Sequence, residues 1–173
     1  MTSTTEQRVT TQVYRVYIKA TPQAIWDAIT TPEWSARYGY GGRVDFDLQP
    51  GGAYRAFPSD EMRQTSTAMG MELPDVVIDG EVIEADPPHR LVQTWRMLMD
   101  EGTKADGFTR LTYEIAEGTG GVTKLTLIHE LEGAPNLAVL MSGELEDQGA
   151  GGGWSWVLSD LKSLLETGQP LAG

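Results

Sequence analysis

The chain has 173 residues, 40% of them hydrophobic and 22% charged, with a net charge of -12 and no cysteine. This composition fits one domain of ordinary size with a sizeable core, and it excludes disulfides, thiolate metal sites and a cysteine nucleophile. The acidic balance disfavours binding to nucleic-acid phosphates or anionic headgroups.

The first residues, MTSTTEQRVTTQ, hold no apolar stretch, so no signal peptide is expected. No apolar run approaches the ~20 residues of a membrane span. A soluble cytoplasmic protein is the simplest reading.

Thr11–Ala20 alternates, with Tyr14, Val16 and Ile18 on one face and Arg15, Tyr17 and Lys19 on the other, the pattern of a first strand. Thr21 and Pro22 then open a helix, one as N-cap and one at the first helical position. Ala24, Ile25, Ala28 and Ile29 supply its apolar stripe. Thr31–Pro32 restarts a short helix that runs to Tyr38. Val44, Phe46 and Leu48 alternate with Arg43, Asp45 and Asp47 as strand two. The turn QPGG, Gln49–Gly52, leads into strand three, Ala53–Phe57. Pro58–Pro74 has no periodicity and reads as a long loop. Its Met62, Met69 and Met71 suit either a surface loop or a pliable lid over an apolar ligand.

Four more strands follow, at Asp75–Ala85, Arg90–Met99, Phe108–Glu117 and Val122–Glu132, with Asp100–Gly107 as a polar loop. Short turns between consecutive strands predict an antiparallel meander. On strand four, Asp79 and Glu81 share one face and Glu84 takes the other. Paired carboxylates do acid–base work only where burial raises a pKa, and a solvated convex face is the plainer reading.

Asn136–Asp147 predicts a short helix, and the glycines of GAGGG, Gly149–Gly153, a flexible entry to the next element. Trp154, Val157, Leu158, Leu161, Leu164 and Leu165 then recur at helical spacing. Ser155, Ser159, Asp160, Lys162 and Glu166 take the other face, and Gly168 is placed to cap the end. Trp156 lies about 200° round from Trp154, so it must meet another neighbour: the first helix, the methionine segment or a second subunit of a homodimer.

A sheet with one apolar face must be covered, and the last helix is the only long amphipathic element. The expected fold is therefore α+β. A curved antiparallel sheet of about seven strands wraps around a long C-terminal helix, with two short helices after strand one. Residues 1–173 read as one domain, with an ordered core over roughly 10–168.

The segment LTLIHELEG, residues 125–133, places His129 on the same face as Leu125, Leu127 and Leu131. Three roles stay open for it: a packed histidine bonded to Tyr113 or a backbone carbonyl, a polar member of a ligand cavity, or a catalytic group. By the same alternation Leu111, Tyr113 and Ile115 face inward from strand six. From strand five the inward set is Leu91, Gln93, Trp95, Met97 or Val92, Thr94, Arg96, Leu98; the first holds the larger apolar surface.

Other chemistry is not legible. IHELEG has Gly133 where a zinc-binding HExxH motif needs its second histidine, and His89 follows Pro87–Pro88 in an expected surface turn. There is no GxSxG elbow and no phosphate-binding loop. No metal and no cofactor are expected.

Six segments in order, ATPQAIWDAIT, PEW, DLQPGGAYR, GEVIEADPPHRLVQTWR, LTLIHE and GGWSWVLSDLKSLLE, span Ala20 to Glu166. Together they resemble the START-like superfamily (SRPBCC, helix-grip or birch-pollen-allergen-like). More narrowly, they resemble the family named after the activator of the heat-shock-protein-90 ATPase. That resemblance implies a cavity between the sheet and the last helix. Members of the superfamily bind lipids, polyketides, hormones or drugs, and some are cyclases or hydrolases.

The function expected is binding of a hydrophobic or aromatic small molecule, lipid- or polyketide-like, in a cavity lined by Trp95, Met97, Leu111, Tyr113, Leu127, His129, Trp154 and Leu158. One alternative is a cyclase, dehydratase or hydrolase using the same cavity, with His129 and Tyr113 as the acid–base candidates. The other is a chaperone-interaction protein, suggested by the family's name. A nucleic-acid partner and a membrane span are not expected.

Overall fold

The structure is a computed structural model and describes residues 11–148 and 152–171. Seven strands form one antiparallel sheet: β1 (Thr11–Ile18), β2 (Arg43–Phe46), β3 (Ala53–Phe57), β4 (Ile78–Asp86), β5 (Arg90–Met97), β6 (Thr109–Glu117) and β7 (Thr123–Glu130). Their spatial order is β1-β7-β6-β5-β4-β3-β2. The first two strands therefore lie at opposite edges. The chain crosses the sheet between them through α1 (Pro22–Thr30) and α2 (Pro32–Ser35).

Local chemistry sets these boundaries. Thr21 Oγ1 accepts from Ala24 N at 3.1 Å, and Pro22 occupies the first helical turn. The apolar stripe of α1 delivers Ile25, Trp26, Ala28 and Ile29 to the core. At the other end of the chain, α6 (Gly153–Thr167) buries Trp154, Leu158, Leu161 and Leu164. It ends at Gly168, whose φ of 81° suits a glycine, with Gly168 N donating to Leu164 O at 2.8 Å. The expected α+β helix-grip architecture is what the chain adopts.

Several sequence expectations need correction. Pro58–Pro74 is not all loop: α3 spans Asp60–Ala68, capped by Ser59 Oγ, which accepts from Met62 N at 3.1 Å. It buries only Ser66, so no apolar stripe marks it. Met69 is 68% exposed, Met71 is also exposed, and Met62 is half-buried. Asp100–Gly107 likewise contains a helix, α4 (Glu101–Asp106), capped by Asp100. The helix expected over Asn136–Asp147 is α5 (Pro135–Met141), followed by a separate 3₁₀ turn at Glu146–Gln148.

The glycine run before α6 lies partly outside the described residues. Gly152 and Gly153 are within them, and they form a tight passage. A Cβ on Gly153, whose φ is +67°, would collide with the Met141 carbonyl at the end of α5.

A register shift between Val82 and Glu84 in the β4–β5 ladder inserts an extra residue. It turns Glu84 to the same outer face as Asp79 and Glu81, against the sequence expectation. Asp79 there pairs with Arg96 through both oxygens, at 2.8 and 2.9 Å. Glu84 meets Arg90 at 2.7 Å. Asp79 and Glu84 are thus ion-paired on the outer surface, with Glu81 exposed beside them.

Candidate functional site

Cross-strand register assigns the inner face row by row. Gln12, His129, Leu111, Gln93 and Val82 form one row across β1, β7, β6, β5 and β4. Tyr14, Leu127, Tyr113 and Leu91 form the next. Directly opposed residues of an antiparallel pair point to one side. From β5, therefore, Leu91, Gln93, Trp95 and Met97 face inward, the set with the larger apolar surface.

His129 is fully buried and bonded at both ring nitrogens. Trp154 Nε1 donates to Nδ1 at 3.0 Å. An indole nitrogen can only donate, so Nδ1 must be the bare, accepting nitrogen and the ring proton sits on Nε2. Nε2 lies 2.7 Å from Thr109 Oγ1. That hydroxyl accepts the imidazole proton and spends its own on the Trp95 carbonyl at 2.8 Å. The chain of donors runs in one direction, Trp154 to His129 to Thr109 to the backbone. Burial lowers the imidazole pKa to about 3. A proton on Nδ1 would also face the Trp154 N–H, so the ring stays neutral. The Trp95 and Trp154 rings pack beside it, with centroids 5.3 and 5.8 Å from the imidazole.

This arrangement answers the question His129 posed. Its partners are Trp154 and Thr109, and both nitrogens are committed. Tyr113 is not a partner: it stands opposite Leu127, whereas His129 stands opposite Leu111. The acid–base pairing of His129 with Tyr113 is not formed.

The other candidate residues divide into two groups. Trp95, Met97, Leu111, Leu127, Trp154 and Leu158 are buried members of the core. Leu111, Leu127 and His129 have essentially no accessible surface and form the closed floor of this face. Tyr113 differs, being half-buried and packed against the edge of that core.

Tyr113 also has polar company that the alternation of β6 alone does not show. Tyr38, from the loop after α2, donates to Ala28 O at 2.9 Å. Tyr54, on β3, stands opposite Gly80 of β4, with its phenol close to the Trp95 side chain. Burial raises the pKa of all three phenols, and the proximity of Tyr54 and Tyr38 raises that of Tyr113 further. Each is a neutral hydrogen-bonding group at neutral pH, not a base. Tyr38, Tyr54 and Gln93, like Gln12 and Tyr14 of the inner rows, are polar residues that sequence reasoning left out of the candidate cavity. The alternation of β5 had placed Gln93 on the right face.

Asp160 was expected on the polar face of the last helix and is instead 3% exposed. Its carboxylate accepts from Gly39 N at 2.8 Å and Leu171 N at 2.6 Å. It ties the helix to the α2–β2 loop and to the C-terminal tail. Among the described residues no helix is long and apolar enough to cross a membrane, and no three His, Asp or Glu side chains are grouped to hold a metal.

Solved structures share this fold. A protein encoded by gene BPP1335 of Bordetella parapertussis matches at 20% identity, over 95% of this chain and 79% of that one, with a TM-score of 0.65. The Aha1 dimer from Colwellia psychrerythraea matches at 18% identity, over 91% and 97%, with a TM-score of 0.59. DynU16, from the dynemicin biosynthetic locus, matches at 21% identity, over 93% of this chain and 49% of that one, with a TM-score of 0.60. Likeness at this identity shows the fold alone. No curated relative matches. The family model described as Activator of Hsp90 ATPase homolog 1-like protein matches residues 19–166, and the chain belongs to that family.

Proposed function

We propose that the protein binds a hydrophobic or aromatic small molecule on the inner face of the sheet, at the Tyr113 end. The single observation that carries this reading is the half-buried Tyr113, close to the phenols of Tyr54 and Tyr38, on a face whose other side chains are apolar or neutral. A mostly apolar wall with a few placed polar groups is what small-molecule sites offer. The fold suits the reading, and one fold neighbour comes from a biosynthetic locus.

Of the candidate lining, Tyr113 and Trp95 would touch the ligand. Leu111, Leu127, His129, Trp154 and Leu158 would form the packed floor behind them, and Met97 would flank Trp95. Proton transfer by His129 has no support in this geometry, so binding is favoured over catalysis. The test is titration with a panel of neutral polycyclic aromatics and sterols, read by tryptophan fluorescence and thermal shift. Saturable quenching with a raised Tm is expected, and Tyr113→Ala should weaken it. A panel that produces neither effect refutes the proposal.

A further inference from the structure

Gln93 lies in the His129 row of the inner face and is 1% exposed. Its Nε2 reaches the Thr94 carbonyl at 3.4 Å. Its Oε1 is the only buried side-chain nitrogen or oxygen among the described residues without a hydrogen-bond partner. The buried polar side chains beside it are bonded: His129 at both nitrogens and Thr109 to Trp95 O. A buried acceptor without a donor is costly and uncommon, and such groups survive where something else supplies the donor.

Among the described residues, the same face carries no charge that a ligand could meet. The ladder registers turn Arg15, Arg55, Asp79, Glu81, Arg96 and Arg110 to the outer surface. Asp160, the one buried carboxylate among the described residues, is occupied by two backbone amides. An anion or cation placed against the inner wall would be desolvated without a counter-charge. What remains is an accepting Gln93 Oε1 and phenol hydroxyls that can donate.

We infer that the ligand is an uncharged, largely apolar molecule carrying a hydroxyl group, which donates its proton to Gln93 Oε1. The inference rests on the small-molecule reading above and specifies its chemistry. A hydroxyl fits both halves of the wall, because it donates to the amide oxygen and accepts from a tyrosine. A ligand without a donor leaves Oε1 unsatisfied. A carboxylate brings a second acceptor toward it.

Three probes of one shape separate these cases: β-naphthol, its methyl ether and β-naphthoate, titrated calorimetrically into wild type, Gln93→Met and Gln93→Leu. Wild type should bind naphthol about tenfold more tightly than the ether, and naphthoate least. Gln93→Met should weaken naphthol to the level of the ether, leave the ether unchanged and raise the Tm of the ligand-free protein, since the orphaned oxygen is gone. Gln93→Leu gives the same comparison should the methionine variant not fold. The inference is overturned if the naphthol preference survives either variant, or if naphthoate binds best. If none of the three probes binds, the small-molecule reading fails and takes this inference with it. Binding without discrimination sinks only the role of Gln93.

Discussion

Trp154 Nε1 and His129 Nδ1 face each other across 3.0 Å, joining the first turn of α6 to the penultimate residue of β7. The pair pins the one long helix to the sheet and decides the tautomer of a buried ring. With the proton on Nε2 held by Thr109, the imidazole serves as a two-ended hydrogen-bond connector between α6 and β6. Nitrogen NMR of the imidazole at neutral pH should show Nε2 protonated and Nδ1 bare. The opposite assignment would contradict the geometry.

The neutral state of His129 has a consequence for stability. Its pKa is lowered from 6.5 to about 3 by burial in the folded chain. Once unfolded, the imidazole takes up a proton below about pH 6.5, whereas the folded ring resists it down to about pH 3. The unfolded state therefore binds more protons across that window, and stability falls as pH falls through it. One such group contributes a slope of ~1.4 kcal/mol per pH unit. Denaturant unfolding at pH 7 and pH 5 should show the loss in wild type and a clearly smaller one in His129→Gln, whatever the variant's absolute stability. Equal slopes in the two proteins would remove His129 as the cause.

Removing either neighbour strands a buried nitrogen. Trp154→Phe keeps an aromatic ring in place but leaves Nδ1 without a donor. Thr109→Val keeps the side-chain shape but leaves the Nε2 proton without an acceptor. Each should cost ~1–3 kcal/mol beyond any packing change. The double variant should cost less than the sum, because both act through one ring. Strict additivity in chemical denaturation would mean that the two contacts are independent.

How much of this was readable from residues alone varied with the kind of signal. Alternation along β5, β6 and β7 was enough to turn Trp95, Leu111, Tyr113, Leu127 and His129 inward, since the β5–β6 and β6–β7 ladders run without a register break. It failed at Glu84, because the irregularity after Val82 adds one residue and reverses every later side. α3 escaped because a helix that buries only Ser66 has no stripe. Its cap, Ser59 followed by Asp60 and Glu61, was the signal available. Asp160 looked like a solvated position because its donors, Gly39 and Leu171, come from segments that only the folded chain brings together. The Tyr38–Tyr54–Tyr113 group and the orphaned Gln93 oxygen are likewise products of the complete fold, invisible to any window along the sequence.

Asp160 gives a test of that tertiary anchoring. Two backbone amides depend on its carboxylate, and bonds to a charged acceptor are among the stronger ones. Asp160→Ala should cost about 2 kcal/mol. It should also raise hydrogen exchange at the Gly39 and Leu171 amides specifically. Asp160→Asn keeps one acceptor and should lose roughly half as much, with protection surviving at one of the two amides. Unchanged exchange at both positions in the alanine variant would show that the anchor lies elsewhere.

The start of α5 is capped from outside its own sequence. Ala134 precedes the helix and has no side chain to offer, and Pro135 already removes one orphan N–H. Asp106, the last residue of α4, supplies the missing acceptor. Its Oδ2 accepts from Leu137 N at 3.0 Å and its Oδ1 from Asn136 Nδ2 at 3.1 Å. Asn136 also reaches the Gly102 carbonyl at 3.3 Å, so the two short helices hold each other. A helix of seven residues is marginal by itself, and its ordering depends on this contact and on burial of Leu137 and Met141. Asp106→Ala should therefore cost ~1 kcal/mol, the usual value of a lost cap. Because α5 leads through the glycines into α6, the variant should also loosen the Met141–Gly153 junction, read as faster exchange at the Gly143 amide. If stability and exchange both match wild type, the carboxylate is a surface contact and α5 is held by its apolar face alone.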